Sequence, residues 1–283
     1  MSAPGAGAVD VLIPTYRRPA ALAVTLTSLA AQTHRPFRVV VSDQTDQADH
    51  EDTSGYGPVQ AAARVLDLHG TPVEFHKHLP RRGMAEQRQF LLDQAVADAV
   101  LYLDDDIICE PDLLSRLVTV LSEERCGFVG SAMIGLSHRD DVRPTEQAIE
   151  LWDGPVRPEK VSPGTAAWSR WRLHNAANPL HIAERLSLDA GGRPLRYKVA
   201  WIAGCVLFDT AALRCCGGFE FWRQLPPGHA GEDVVAQLRV MAHHGGCAIL
   251  PSGAYHQELP TTVVDRRVDA VKAVMPVPAG DAR

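Results

Sequence analysis

Ala99-Val100-Leu101-Tyr102-Leu103-Asp104-Asp105-Asp106 is the stretch that decides the reading of this chain. Its first five residues are apolar and rich in β-formers, the pattern of a buried strand. Its last three are carboxylates. A strand that ends in clustered acids puts hard oxygen ligands at its carboxyl end, where open α/β sheets bind ligands. Mg²⁺ and Mn²⁺ take such ligands and complete their shell with phosphate oxygens. The triplet therefore points to a metal–diphosphate site. A solvated acidic loop capping the next helix is the plain alternative, and the flanking sequence decides between them.

Strands and helices alternate on both sides of this stretch. Upstream, strands are expected at 9–13, 37–41 and 72–75. Helices are expected from Pro19, from Gly57-Pro58 through Leu68, and at 84–96. Proline suits the first helical position, and Leu22, Leu26 and Leu29 recur at helical spacing. Downstream, Pro111 opens a helix with Leu113, Leu114, Leu117 and Leu121 inward, and a fifth strand is expected at 128–133. Such alternation implies a parallel sheet with right-handed crossovers. The pattern breaks between 135 and 198, a proline-rich stretch carrying Trp152, Trp168 and Trp171. Long irregular segments are usually functional, and the three indoles either offer stacking faces for an acceptor or anchor the long loop to the core. Order returns at 199–208, then in a helix at 232–244 and a last strand at 247–250. Beyond Pro260 a charged, then Ala/Pro-rich tail is expected, mobile at its end.

Bulk composition narrows the function classes. The chain has 283 residues and is 46% hydrophobic, enough for one large core. A net charge of −6 gives no basic surface for nucleic acid. The first residues lack the basic start and apolar core of a signal peptide. The longest apolar stretch, 199–208, is far below the roughly 20 residues of a transmembrane helix. A cytoplasmic protein without a transmembrane segment is the expectation, and oligomeric state is not legible. The six cysteines form no C-x-x-C pair, and adjacent Cys215 and Cys216 suit neither a disulfide framework nor a zinc module. They read as reduced thiols.

Three features fall at strand carboxyl ends: Pro14-Thr15-Tyr16-Arg17, Asp43 and the aspartate triplet. Together with Leu26 to Gln32, Gly204 within 201–208, Gly217-Gly218-Phe219 and Gly231-Glu232-Asp233, they form an ordered set across roughly residues 9–256. This set resembles the family 2 glycosyltransferases. The resemblance implies a GT-A fold, a Rossmann-like α/β architecture with a mostly parallel sheet, flanking helices and an irregular acceptor-side segment. It implies one domain, with a nucleotide-sugar half at about 9–134, an acceptor-binding and catalytic half at about 135–260, and a tail at about 261–283. The implied activity is inverting, metal-dependent transfer from a nucleoside-diphosphate sugar, a UDP-sugar by default, to an acceptor hydroxyl.

Residue by residue, Asp43 resembles the family's base-recognition aspartate, since a carboxylate accepts from a uracil-like N–H. Tyr16 resembles the aromatic beside that base, with Pro14 and Arg17 in the same donor segment. The triplet resembles the DxD motif, and three aspartates in a row leave its register open. Asp104 or Asp105 would face the ribose, and Asp106 would bind Mn²⁺ or Mg²⁺, with Asp104 second in an Asp104-x-Asp106 reading. Arg82 and Arg88 flank a helix start near the donor, where one or the other would pair with phosphate; a solvated helix face is the plain alternative. Arg88 is followed by Gln89 where the family often has Asn. Gly204 resembles the glycine that lines donor sugar and acceptor. Glu232 and Asp233 resemble the xED motif, with Asp233 as general base, held ionised by the helix dipole. His256 lies where such enzymes place a C-terminal histidine at the metal or diphosphate. No QxxRW-type motif appears, so a single-transfer enzyme is expected. A metal-dependent nucleotidyltransferase is the rival enzyme, but the loop after the first strand has no glycine. A non-catalytic nucleotide-sugar-binding module is the rival outside catalysis, and intact acids at each motif argue against it.

Overall fold

The computed structural model describes residues 7–46, 52–188, 192–263 and 265–275. β1 (Val9–Thr15), α1 (Pro19–Ala30), β2 (Phe37–Asp43), α2 (Gly57–Leu68), β3 (Val73–Lys77), α3 (Met84–Gln94) and β4 (Ala99–Leu103) alternate as expected. β5 (Ile107–Cys109), α4 (Leu113–Glu124), β6 (Phe128–Gly130) and β7 (Met133–Ile134) follow. Short 3-10 turns lead to α5 (Asn178–Arg185), β8 (Leu195–Tyr197), β9 (Cys205–Asp209) and α6 (Thr210–Cys215). The chain closes through β10 (His229–Ala230), α7 (Glu232–His244), β11 (Gly246–Leu250), β12 (Ala254–His256), β13 (Val268–Asp269) and α8 (Ala270–Val274).

Eight strands form one sheet in the order β3-β2-β1-β4-β9-β6-β11-β8. Period-two patterning explains its three layers. Val9, Val11 and Ile13 of β1, with Leu101 and Leu103 of β4, pack on α1, α2 and α4 through Leu22, Leu26, Leu66 and Leu117. Leu12, Val100 and Tyr102 face the other way, onto Leu91 and Leu92 of α3 and Val235, Leu238 and Met241 of α7. Both faces are buried, so the strands read as near-continuous apolar runs.

The sheet is mainly parallel, as expected, with β9 antiparallel between β4 and β6 and β8 antiparallel at the edge. Three other sequence expectations change. The run at 128–133 splits, because Ser131 turns out to donate to the Ser252 carbonyl (2.7 Å) and β7 joins a second sheet, β5-β12-β7. Of the apolar run only 205–208 lies in a strand; 199–204 is coil, buried except at Trp201 and Ala203. The stretch after Pro260 is not simply a tail: β13 pairs with β10, and Ala270 and Val271 of α8 are buried in the core. Residues 276–283, the expected mobile end, lie outside the described residues.

The buried coil stays in place because Gln237 of α7 satisfies it. Its Oε1 accepts from Ile202 N–H (2.7 Å) and its Nε2 donates to the Ile202 carbonyl (2.7 Å). Buried backbone groups without partners are costly. Gln237→Leu should therefore destabilise the chain by roughly 1–3 kcal/mol, seen as a lower urea midpoint at unchanged m-value. An unchanged midpoint would mean that apolar contacts alone hold 199–204.

Candidate active site

The carboxyl ends of β1 and β4, the start of α3, the start of α7 and the end of β12 border one cavity of about 440 Å³. That size suits a small-molecule ligand. Asp104, Asp105 and Asp106 form one wall; Glu232 and Asp233 form another. The β5–β12 pairing sets His256 opposite Ile107, one residue past Asp106. Gln257 N–H also bonds the Asp106 carbonyl (2.9 Å). His256 Nε2 thereby lies 3.3 Å from Asp106 Oδ2.

Each acid has its own partner. Asp104 Oδ1 accepts from Arg88 Nη2 at 3.0 Å, and Arg88 Nε donates to Glu232 Oε1 at 3.1 Å. Tyr102 fixes Arg88 from below, its hydroxyl donating to the Arg88 carbonyl (2.7 Å). Burial opposes the Arg88 charge, but Asp104, Glu232 and Asp233 outweigh it and hold the guanidinium protonated. Asp105 Oδ2 accepts from Thr15 Oγ1 at 2.6 Å. Burial pushes the Asp105 carboxyl up to about 7, with the Asp106 and Asp104 charges adding to the rise against Thr15 and Arg18. Burial also pushes Asp106 up, but the His256 hydrogen bond and charge, with Arg18, outweigh it and hold Asp106 below the usual range. Arg18 Nη1 donates to Asp106 Oδ2 at 2.6 Å, and Arg18 Nη2 to the Pro260 carbonyl.

Asp233 follows the left-handed Gly231 cap of α7, and its Oδ1 accepts from Val234 N–H (2.9 Å). The expectation that the helix dipole holds it ionised is corrected. Burial first, then the Glu232 charge, pushes Asp233 up to about 7 against the pull of Arg88.

Residues 10–167, more than half of the chain, match the family model described as glycosyl transferase family 2. The chain belongs to glycosyl transferase family 2. Its fold is of the GT-A type shared by its structural neighbours. The structure of S. aureus TarS 1-349 in complex with UDP-GlcNAc is 15% identical with a TM-score of 0.59, over 90% of this chain and 60% of that one. The Pyrobaculum calidifontis mannosyltransferase PcManGT, in complex with GDP-Man and Mn²⁺, is 16% identical with a TM-score of 0.52, over 90% of this chain and 58% of that one. This family 2 chain thus spans less than two thirds of either neighbour. No curated protein matches it in sequence.

Pro14, Tyr16, Arg88, Asp104, Asp105, Asp106, Glu232, Asp233 and His256 line the cavity together. Other residues implied by the family resemblance stand elsewhere. Asp43 is buried, with Oδ1 accepting from Thr45 N–H (2.8 Å) and Oδ2 from Lys77 Nζ (3.0 Å). Gly204 sits behind Asp104 and accepts from its N–H (2.9 Å); its φ of +75° and the nearness of Met133 Sδ leave no room for a side chain. Arg82 and Arg17 are exposed and do not line the cavity. Arg88 faces carboxylates rather than an open phosphate site. Arg18, beside Arg17, is the cavity arginine that sequence reading missed; its signal was its place just before Pro19, at the N-cap of α1. Trp168 and Trp171 lie behind Trp201, with ring centres 4.7 and 6.4 Å away, and only Trp201 reaches the cavity. Trp152 packs with the core on the opposite face of the sheet. Residues 261–263 and Arg266 also line the cavity.

Among the described residues no three His, Cys, Asp or Glu side chains converge into a ready metal cage. Mn²⁺ and Mg²⁺ need only one or two protein ligands when phosphate oxygens and water fill the shell. Asp106 with His256 fits that mode, and Arg18 must yield Asp106 for it.

The Asp105 environment gives a pH signature. The folded chain keeps this proton to about pH 7, whereas an unfolded Asp loses it near 4. Between those values the folded state binds more protons, so stability falls as pH rises. Asp105→Asn removes that dependence. In metal-free buffer the mutant should gain about 2 kcal/mol on wild type between pH 5 and 8. Denaturation at both pH values checks this, and a constant difference would refute the raised Asp105 carboxyl.

Proposed function

We propose that this family 2 glycosyltransferase moves a sugar from a nucleoside-diphosphate sugar to an acceptor hydroxyl in a single, metal-dependent displacement that inverts the anomeric carbon. The observation that carries this reading is the meeting of strand-end carboxylates Asp104, Asp105 and Asp106 with Glu232 and Asp233 in the lining of one cavity. Residues 9–134 form the donor side and 135–260 the acceptor and catalytic side. A divalent cation, held by Asp106 and His256 with Asp104 beside them, would supply charge stabilisation to the departing diphosphate. The neighbours bind UDP-GlcNAc, and GDP-Man with Mn²⁺, which supports a nucleotide-sugar donor.

The chain's own residues do the rest. Asp104 or Asp105 faces the ribose, and Tyr16 and Pro14 line the way to the base. Trp201, backed by two more indoles, presents an aromatic face where a sugar ring stacks. Asp233 takes the acceptor proton as that oxygen bonds to the anomeric carbon and the bond to the diphosphate breaks. A base works best with a pKa near the working pH, and Asp233 sits near 7. Glu232, tied to Arg88, holds the start of α7 in position. One base without a second nucleophile supports inversion.

Three measurements test the reading. Nucleotide sugars with Mn²⁺ should raise the melting temperature of the wild type by mass action. Asp106→Asn should abolish turnover and weaken Mn²⁺-dependent UDP binding with the fold intact. Unchanged UDP affinity by calorimetry would remove Asp106 from the site. Asp233→Asn should lower kcat by about 10²–10⁴-fold and leave donor affinity nearly unchanged. If Asp233 only caps α7, Asn serves as well, and a near-wild-type rate would exclude it as the base.

A further inference from the structure

The segment that leads into α7 reads Pro226-Pro227-Gly228-His229-Ala230-Gly231. Glycines on both sides of His229-Ala230 give it backbone freedom, and Gly231 uses that freedom at φ +85°. The segment must be held still if Glu232 and Asp233 are to keep their places. His229 holds it. Its backbone lies in β10, paired with Val268 of β13, and its side chain is buried outside the cavity lining. Both ring nitrogens are used. Nδ1 donates to the Pro226 carbonyl at 2.7 Å, which leaves Nε2 to accept from Ala85 N–H at 3.2 Å. Ala85 is in the first turn of α3, and the first N–H groups of a helix have no partner inside it. Gly83, at the N-cap, has no side chain to supply one. Its φ of +105° and the approach of the imidazole, which would put a Cβ 2.6 Å from His229 Cε1, leave room for no other residue.

We propose that His229 is a positioning residue for Asp233: its ring fastens the lead-in of α7 to the start of α3 and so fixes where the base stands. The inference rests on the role of Asp233 as base in the reaction proposed above. A second fastening is Arg88, one turn along α3, whose Nε donates to Glu232 Oε1. With both in place, α7 begins at a fixed distance from α3. With the guanidinium alone, its first turn pivots about one side-chain contact. Asp233 follows His229 by at most ~14 Å of extended chain, so a shift at the ring reaches the base with little slack. A misplacement of about 1 Å in a reacting constellation can cost about 10²-fold in rate. The chemistry asked of the side chain is specific: one lone pair for Ala85 N–H and one N–H for the Pro226 carbonyl. Glutamine carries the same pair, an amide oxygen and an amide N–H, whereas phenylalanine keeps the ring and offers neither.

Turnover on the full chain with Mn²⁺ tests it, read as nucleoside diphosphate released to water from UDP-GlcNAc or GDP-Man, whichever raises the melting temperature more. His229→Phe should lower kcat per folded molecule by about ten- to a hundredfold and leave the affinity for UDP or GDP nearly unchanged. His229→Leu replaces it if the Phe variant does not fold. His229→Gln should keep at least about a third of the wild-type rate, because both hydrogen bonds survive. Amide hydrogen exchange gives a readout apart from activity: Val234 and Val235 should exchange faster in His229→Phe than in wild type or His229→Gln, with Leu238 and Met241 unchanged. In an Asp233→Asn background, adding His229→Phe should cost no more than about a further twofold, since the two residues act through one step. A wild-type rate in the folded Phe or Leu variant, or unchanged exchange at Val234 and Val235, overturns the positioning role. Full additivity in the double variant overturns the route through Asp233. A near-wild-type rate in Asp233→Asn alone overturns the base reading, and the positioning role with it, whatever the His229 variants do.

Discussion

One buried guanidinium ties the cavity together. Arg88 bonds Asp104 at the end of β4 and Glu232 at the start of α7, residues far apart in sequence that sit on different layers of the fold. Without it, two acidic walls would face each other across a low-dielectric gap and repel. Removing one partner of a buried ion pair commonly costs about 3–5 kcal/mol, because the other charge is stranded. Tyr102 supports Arg88 from the sheet, and Gln237 and the Gly231 cap hold the opposite wall. The pairing also divides labour between neighbouring acids. The Arg88 Nε bond goes to Glu232, not to Asp233, so Asp233 is left with burial and a like charge beside it. Burial and that like charge give Asp233 a raised carboxyl suited to taking a proton near neutrality, against the pull of Arg88.

Much of the fold was legible because its signals are local. Apolar runs in β1 and β4 and prolines at helix starts are read within a few residues of themselves. The features that escaped are set by distant partners. The apolar run at 199–208 looks uniform, yet Gln237 satisfies its first part as coil, and pairing with β4 and β6 makes the rest an antiparallel strand. Nothing in the run itself encodes either outcome. The split of the expected strand at 128–133 depends on Ser252, more than a hundred residues on.

The candidate site shows the same division. The acidic positions at 104–106 and 232–233 were found because charge clustered at an element end is visible in one dimension. Arg18 and Arg17 are neighbours with equal chemistry, and only the turn into α1 decides which enters the cavity. Trp201 and Trp168 are likewise distinguished only by packing order. The Lys77 partner of Asp43 was invisible for a related reason. The third strand was expected to stop at Phe75, but it runs on to Lys77, and its register against β2 brings that ammonium to Asp43. Register between parallel strands is a property of the pair, not of either sequence.

The charge balance of the cavity gives an independent reason for a cation in the proposed reaction. Its walls carry Asp104, Asp105, Asp106, Glu232 and Asp233, and its positive groups include Arg18, Arg88, His256 and Arg266. Arg88 is already shared between two carboxylates, and Arg18 is committed to Asp106. A diphosphate entering this space meets acids and few free positive charges. If Arg18 turns to the phosphate, Asp106 loses its strongest partner and faces the new anion with only His256 for support. Were Asp106 to hold a divalent cation, its carboxylate would keep a positive partner and Arg18 would be free to meet the diphosphate.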